Sequence, residues 1–166
     1  MSLARYTREE SISTDLAIDL PEPSPEEHPD KALWRTKEAV LKEMARLLAK
    51  SGRVGNEKQL FQDLLFREKK ASTGIGSGVA IPHIRTLQAK ELILAVALSR
   101  EGLDFDAVDR EKVHVFVSMV TPPYEDKLYL RVLKSLGNAF QSPGVKDSLF
   151  SAKNAGEVIR VLARLS

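Results

Sequence analysis

The chain has 166 residues, 43% of them hydrophobic and 29% charged, enough for one domain with its own core. It contains no cysteine, which excludes disulfides, thiolate metal sites and cysteine nucleophiles. The formal net charge is +2, but residues 1–31 hold eight acidic and three basic side chains, so an acidic N-terminal segment at −5 precedes a body at +7. The body has no long basic run and few aromatics, so a nucleic-acid partner is not expected. The N-terminus lacks the apolar core of a signal peptide, and no apolar run approaches the ~18 residues of a membrane span. A cytoplasmic protein without membrane insertion is expected.

Residues 1–31 read as a partly extended, acidic, Pro-rich extension. "LPEPSPEEHPD" places Pro21, Pro23, Pro25 and Pro29 among acids. Ahead of it, Leu16, Ile18 and Leu20 alternate in "DLAIDL" and predict an edge strand. The domain proper is expected over 32–166. "TKEAVLKEMARLLAKSG" predicts an amphipathic helix, with Val40, Met44, Leu47 and Leu48 at helical spacing and Gly52 at its end. Asn56 and Gln59 have the spacing of a capping box for a second helix, whose inner face is Leu60, Phe61, Leu64 and Leu65. That helix runs into "REKK", so the glycine-rich stretch after it follows a helix.

"VAIP" predicts a short strand. "LILAVAL" (Leu92 to Leu98) and "VHVFVSMV" (Val113 to Val120) are apolar on both faces, as central strands covered by helices are. The "DFDAVD" segment between them reads as a solvated turn, lacking the glycine and distal glutamate of a calcium loop. After Pro122-Pro123 a long helix is expected from Tyr124 to about Gln141, with Leu128, Val132, Leu133, Leu136 and Phe140 inside. Pro143-Gly144 breaks it, "VKDSLF" predicts one or two helical turns, and Asn154 and Glu157 cap a last helix. The order of elements predicts a single-domain α/β fold with a mixed sheet.

The stretch "TGIGSGVAIPH" is where chemistry concentrates. Its glycines are spaced Gly74-x-Gly76-x-Gly78, after a helix and before a strand. A dinucleotide fingerprint needs a different spacing and the opposite context, and a P-loop needs a Lys-Ser/Thr ending. What remains is a turn whose N–H groups, with the Ser72 and Thr73 hydroxyls, can cradle an oxyanion. His83 follows Pro82 directly, and a neutral imidazole nitrogen can attack phosphorus and form a phosphohistidine. Arg67, at the end of the preceding helix, has the fork geometry for phosphate oxygens. No metal-ligand spacing occurs and no cofactor is called for.

"REKKASTGIGSGVAIPH" resembles the signature of the enzyme IIA components of the bacterial phosphotransferase system, in the fructose, mannitol and nitrogen-regulatory class. The resemblance runs from about Thr36 to Leu165 and includes "DAVDREKVHVFVSMVTP". It implies a mixed sheet sandwiched between helices, of the phosphotransferase/anion-transport-protein type. It implies His83 as a nucleophile phosphorylated by an HPr-like phosphocarrier protein, Arg67 as the matching arginine, and Ser72, Thr73, Gly74 and Gly76 as the phosphate-binding loop. The group would pass to a IIB domain or serve as a regulatory signal, the nitrogen-branch type being favoured. Two positions depart from the pattern. Ile84 follows the histidine where glycine is frequent, and Tyr129 stands where the family carries a second active-site histidine. A phenol can donate a hydrogen bond to phosphate but cannot hold a positive charge near pH 7. Tyr129 therefore also motivates an alternative: a regulatory interaction module of the same fold that has lost transfer.

Overall fold

The computed structural model describes residues 2–166. In chain order its elements are a 3-10 turn at Leu3–Tyr6, β1 (Thr7–Ser13), α1 (Pro29–Ala49), α2 (Glu57–Lys70), β2 (Gly74–Gly76), β3 (Val79–Ala80), β4 (His83–Arg85), β5 (Ile93–Leu103), β6 (Val113–Thr121), α3 (Asp126–Ala139), α4 (Pro143–Phe150) and α5 (Ala155–Ala163). The strands form one mixed sheet in the order β1-β5-β6-β3-β2, with β4 also paired to β6. The two apolar runs, β5 and β6, make its antiparallel centre, from Ile93 opposite Val120 to Leu98 opposite Val115.

Alternation along these strands sends side chains to two helix layers. Ile93, Ala95, Ala97, Phe116 and Val120 pack with Val40, Leu41 and Met44 of α1 and Leu60 and Leu64 of α2. Leu94, Val96, Val115, Val117 and Met119 pack with Val132 and Leu136 of α3, Leu149 of α4, and Val158 and Leu162 of α5. Each fully buried Val, Leu, Ile, Met or Phe among them contributes about 1.5–3 kcal/mol, so a sheet apolar on both faces must be covered on both.

The caps expected from sequence form: Gln59 N–H donates to Asn56 Oδ1 (3.0 Å) and Glu157 N–H to Asn154 Oδ1 (2.9 Å). Gly52 takes a φ of +76° just past α1, as the turn there requires.

Three elements differ from expectation. The edge strand is Thr7–Ser13, parallel to β5, and not "DLAIDL". Leu16 N–H makes a hydrogen bond to Leu98 O (2.8 Å), while Leu16 and Ile18 pack on the α1 side of the core. α1 opens at Pro29, with His28 as its cap: His28 Nδ1 accepts from Asp30 N–H (3.1 Å). In "DFDAVD", Phe105 is fully buried, edge-on to Phe116 at 5.2 Å, so the segment is pinned to the core and is not a free turn.

β3 and β4 behave as one strand interrupted by Ile81-Pro82. Val79 lies opposite Val115 and His83 opposite Met119, so the register continues across the break. Pro82 has no N–H to give, but its carbonyl accepts from Met119 N–H (2.9 Å) and from the Ser118 hydroxyl (2.9 Å). That double acceptance fixes the backbone immediately before His83.

Candidate functional site

The glycine loop is held from beneath by two charged residues in the core. Glu68, on the inner face of α2, takes both polar donors of Thr73: the N–H reaches Oε2 at 2.7 Å, and the hydroxyl binds Oε1. Lys37 of α1, only 1% exposed, places Nζ 3.3 Å from the same Oε2. Its ammonium also faces the Trp34 and Phe105 rings at 4.9 and 5.2 Å, and Asp106 Oδ2 lies 4.0 Å away. A buried ammonium and carboxylate persist only when paired and hydrogen-bonded in this way.

Ser72 Oγ donates to Phe105 O (3.1 Å) and accepts from Gly74 N–H (3.1 Å). A Cβ at Gly74 would sit 2.8 Å from Ala107 Cα, so the close approach of the 105–108 segment requires glycine here. Beyond it the chain turns through three positive φ values, Gly76 +97°, Ser77 +56° and Gly78 +81°. Ser77 N–H then donates to Asp109 Oδ2 (2.8 Å). This bond, with a second from Glu111 N–H, holds the Asp109 carboxyl below its ordinary pKa. A Cβ at Gly76 would meet the same carboxylate at 3.3 Å.

The loop does cradle oxyanions, but they are the protein's own carboxylates, Glu68 and Asp109. The Ser72 hydroxyl, both polar donors of Thr73 and the N–H of Gly74 are committed within the fold, and Gly76 lies against Asp109. At Ser72, Thr73 and Gly74 these hydrogen bonds turn toward the protein's own acceptors.

His83 opens β4 on the face toward α3. Its Nδ1 lies 2.6 Å from Ile81 O. A carbonyl oxygen only accepts, so Nδ1 carries the proton, and in the neutral ring the lone pair sits on Nε2. Burial is the main cause that lowers the His83 pKa below 6.5; the Ile81 carbonyl acts against it, the Arg67 cation adds to it and Glu68 opposes it. The ring is therefore neutral near pH 7. Ile81 is itself held, its N–H donating to Thr73 O at 2.9 Å. Ile84, the residue after the histidine, turns to the opposite face and packs on the α1/α2 cluster.

Tyr129 of α3 faces the imidazole, with ring centroids 6.0 Å apart and planes tilted by 48°. The Arg85 guanidinium covers the Tyr129 ring at 5.3 Å and is ion-paired with Asp126 in the first turn of α3. Burial raises the Tyr129 pKa, and Arg85 and Arg67 partly offset the rise, so the phenol keeps its proton as a donor. Arg67 Nη1 donates to Ala71 O (2.8 Å), which holds the arginine at the helix end. Its cation lowers the pKa of both His83 and Tyr129, so its charge is felt at both rings.

The structure thus brings His83 and Tyr129 face to face, with the Arg67 charge acting on both, three residues expected from the sequence. It adds Lys37, Glu68, Arg85, Asp126 and Asp109, which sequence reasoning had not assigned. Lys37 and Glu68 did carry a signal: each falls at helical spacing on an otherwise apolar face, Lys37 with Val40, Leu41 and Met44, and Glu68 with Leu64 and Leu65. Among the described residues no group of three or more His, Asp or Glu side chains is placed to hold a metal ion, and no helix is long and apolar enough to cross a membrane.

Comparison with known proteins gives a consistent pattern. The family model "Phosphoenolpyruvate-dependent sugar phosphotransferase system, EIIA 2" matches residues 31–165. A fructose-specific EIIA component from Haloferax volcanii is 32% identical over 130 residues, which is 78% of this chain and 84% of the relative. A nitrogen regulatory protein from Pseudomonas aeruginosa is 31% identical over 127 residues, covering 76% and 82%. The crystal structure of nitrogen regulatory protein IIA-Ntr from Neisseria meningitidis superposes with a TM-score of 0.80 at 27% identity, over 96% of this chain and 97% of that one.

Proposed function

This chain belongs to the phosphoenolpyruvate-dependent sugar phosphotransferase system EIIA 2 family, whose members carry phosphoryl groups, and from that premise we propose that Nε2 of His83 is the atom that receives the group. The observation that carries the proposal is the 2.6 Å contact between His83 Nδ1 and Ile81 O. It leaves Nε2 with a lone pair and no proton to shed.

The step is an in-line displacement. The Nε2 lone pair forms the new N–P bond as the N–P bond of the donor's phosphohistidine breaks, and that electron pair returns to the donor ring. No proton is transferred at Nε2, so no general base is needed. The positive charge that develops on the His83 ring is met by the Ile81 carbonyl through Nδ1–H. Catalysis is then positioning and charge stabilisation. Arg67 neutralises the equatorial oxygens, and the Tyr129 hydroxyl donates to one of them. The loop residues act by setting the backbone under His83.

The donor is an HPr-like phosphocarrier protein, and the acceptor a IIB domain or a regulatory target. Exposed Phe66 and Leu87 beside Arg85 give the site an apolar rim for such a partner. A nitrogen-branch regulatory role is favoured by the near full-length likeness to a nitrogen regulatory IIA. The second reading, a module that binds without transferring, rests on Tyr129 in place of the second histidine.

Incubation with phosphoenolpyruvate, enzyme I and a cognate phosphocarrier tests the two. Acid-labile phosphate that is lost in His83→Ala supports the carrier. No label from a donor that phosphorylates other IIA proteins leaves the binding module.

A further inference from the structure

We infer that Lys37, a core residue of α1 with no exposure to the site, is a positioning residue for His83, acting through the hydrogen-bond chain Lys37–Glu68–Thr73–Ile81–His83. The inference rests on the reading that His83 carries the phosphoryl group. It concerns how the imidazole is held ready.

Each link of the chain fixes the next. Lys37 Nζ lies 3.3 Å from Glu68 Oε2. Glu68 receives two donors from one residue, the N–H and the hydroxyl of Thr73, one on each carboxylate oxygen. A two-point grip of this kind sets the rotation of Thr73 as well as its place. The Thr73 carbonyl then accepts from Ile81 N–H at 2.9 Å. The Ile81 carbonyl, at the other end of that residue, accepts from His83 Nδ1–H at 2.6 Å.

The energetics argue against Lys37 as a mere packing residue. Its side chain is 2% exposed and that of Glu68 1%. Burying both charges costs several kcal/mol per ion before their attraction is counted, and apolar replacements of such pairs are often as stable. The position is flanked by Trp34, Phe105 and apolar residues of α1, where an aliphatic side chain would fit the surroundings. What an aliphatic side chain could not do is pair with the Glu68 carboxylate while both of its oxygens are turned to Thr73. The charge pair therefore supplies orientation. It ties α1 and α2 to the glycine loop, and the loop to the tautomer of His83.

The test measures two things on the full-length protein. The first is the His83 tautomer and ring geometry, from imidazole nitrogen and proton NMR shifts. The second is the rate of phosphoryl acceptance from a cognate phosphocarrier. Lys37→Met is expected to lower the Nδ1–H tautomer fraction and to slow acceptance about tenfold or more per folded molecule. Because that variant leaves Glu68 unpaired and could fail to fold, Thr73→Val is measured beside it. It keeps the shape and the Lys37–Glu68 pair, removes only the hydroxyl grip, and is expected to shift the same resonances to a lesser degree. A folded Lys37→Met or a Thr73→Val with wild-type His83 shifts and a rate within twofold of wild type would overturn the inference, even if the melting temperature fell. The tautomer measurement needs no donor. Shifted resonances in a protein that accepts no phosphate would sink the carrier reading and leave the positioning role standing.

Discussion

The Tyr129 ring stands 6.0 Å from the His83 imidazole, with the two planes tilted by 48°. The neighbouring Arg85 guanidinium covers the phenol and is itself held by its ion pair with Asp126. A hydrogen bond from a phenol to a charged phosphate is worth about 1.5–3 kcal/mol. Tyr129→Phe keeps the ring and its packing and removes only this bond. Acceptance by His83 should slow roughly tenfold to a hundredfold, with donor affinity little changed. Stopped-flow transfer from labelled phosphocarrier gives both numbers, and an unchanged rate would show that the hydroxyl has no part in transfer.

On the proposal that His83 accepts the group, Ile81 sets the attacking atom. Since its carbonyl holds the Nδ1 proton, phosphate should appear on Nε2 alone. Phosphorus–nitrogen couplings in labelled phosphoprotein distinguish the two nitrogens. Phosphate on Nδ1 would mean that the 81–83 backbone rearranges before attack.

The lowered His83 pKa fixes the sign of two pH effects. The folded protein resists protonation that the unfolded chain accepts at its ordinary pKa of about 6.5. Between that value and the lower folded pKa the unfolded state binds more protons, so stability falls as pH drops through this window. Above pH 6.5 the contribution is fully present. Denaturant midpoints from pH 7.5 to 5 should therefore decline, and His83→Gln should flatten that decline. The acid limb of phosphoryl acceptance should lie below 6.5 for the same reason, since only the neutral ring is a nucleophile.

Gly74 is a packing requirement more than a conformational one. Its φ is not positive, but a Cβ there would press on the Ala107 backbone at 2.8 Å. Backbone cannot step aside as a flexible side chain can, so Gly74→Ala should cost about 1–3 kcal/mol. It should also slow acceptance, because Gly74 follows the Thr73 grip on Glu68. Chemical denaturation checks the first effect and the transfer assay the second.

The central strands, the caps at Asn56 and Asn154, and the inner faces of α2 and α3 were legible because periodicity and capping chemistry are local signals. His83 was legible as a candidate because histidine is scarce and this one follows Pro82 beside the glycine loop, Arg67 because it ends the helix leading into that loop, and Tyr129 only through the family resemblance. β1 was not, since "TREESIS" is an edge strand with an exposed, charged run at Arg8, Glu9 and Glu10 and no apolar alternation; its parallel pairing with β5 comes from tertiary contacts. The inward turn of the glycine loop was also hidden. Its partners, Glu68, Phe105 and Asp109, lie up to 33 residues from the loop residues they bind, and composition alone cannot distinguish a cradle for a ligand from one filled by the protein's own carboxylates. Lys37 shows what closer attention to pattern yields: a charge on an apolar helix face asks for a buried partner.

Arg67 couples charge to chemistry in a way that two substitutions separate. Its cation lowers the His83 pKa, and in the proposed transfer its fork would be the bidentate partner for phosphate. Arg67→Gln removes both, so the acid limb of acceptance should move upward toward the ordinary histidine value while the plateau rate falls about a hundredfold. Arg67→Lys keeps a charge near the ring but loses the planar fork and the bond that Nη1 makes to Ala71 O. Its acid limb should stay close to that of the wild type while its plateau still falls. If both variants shifted the limb equally and kept the plateau, Arg67 would act on the imidazole alone, and the equatorial oxygens would have to be neutralised by another cation, of which Arg85 is the candidate across the Tyr129 ring.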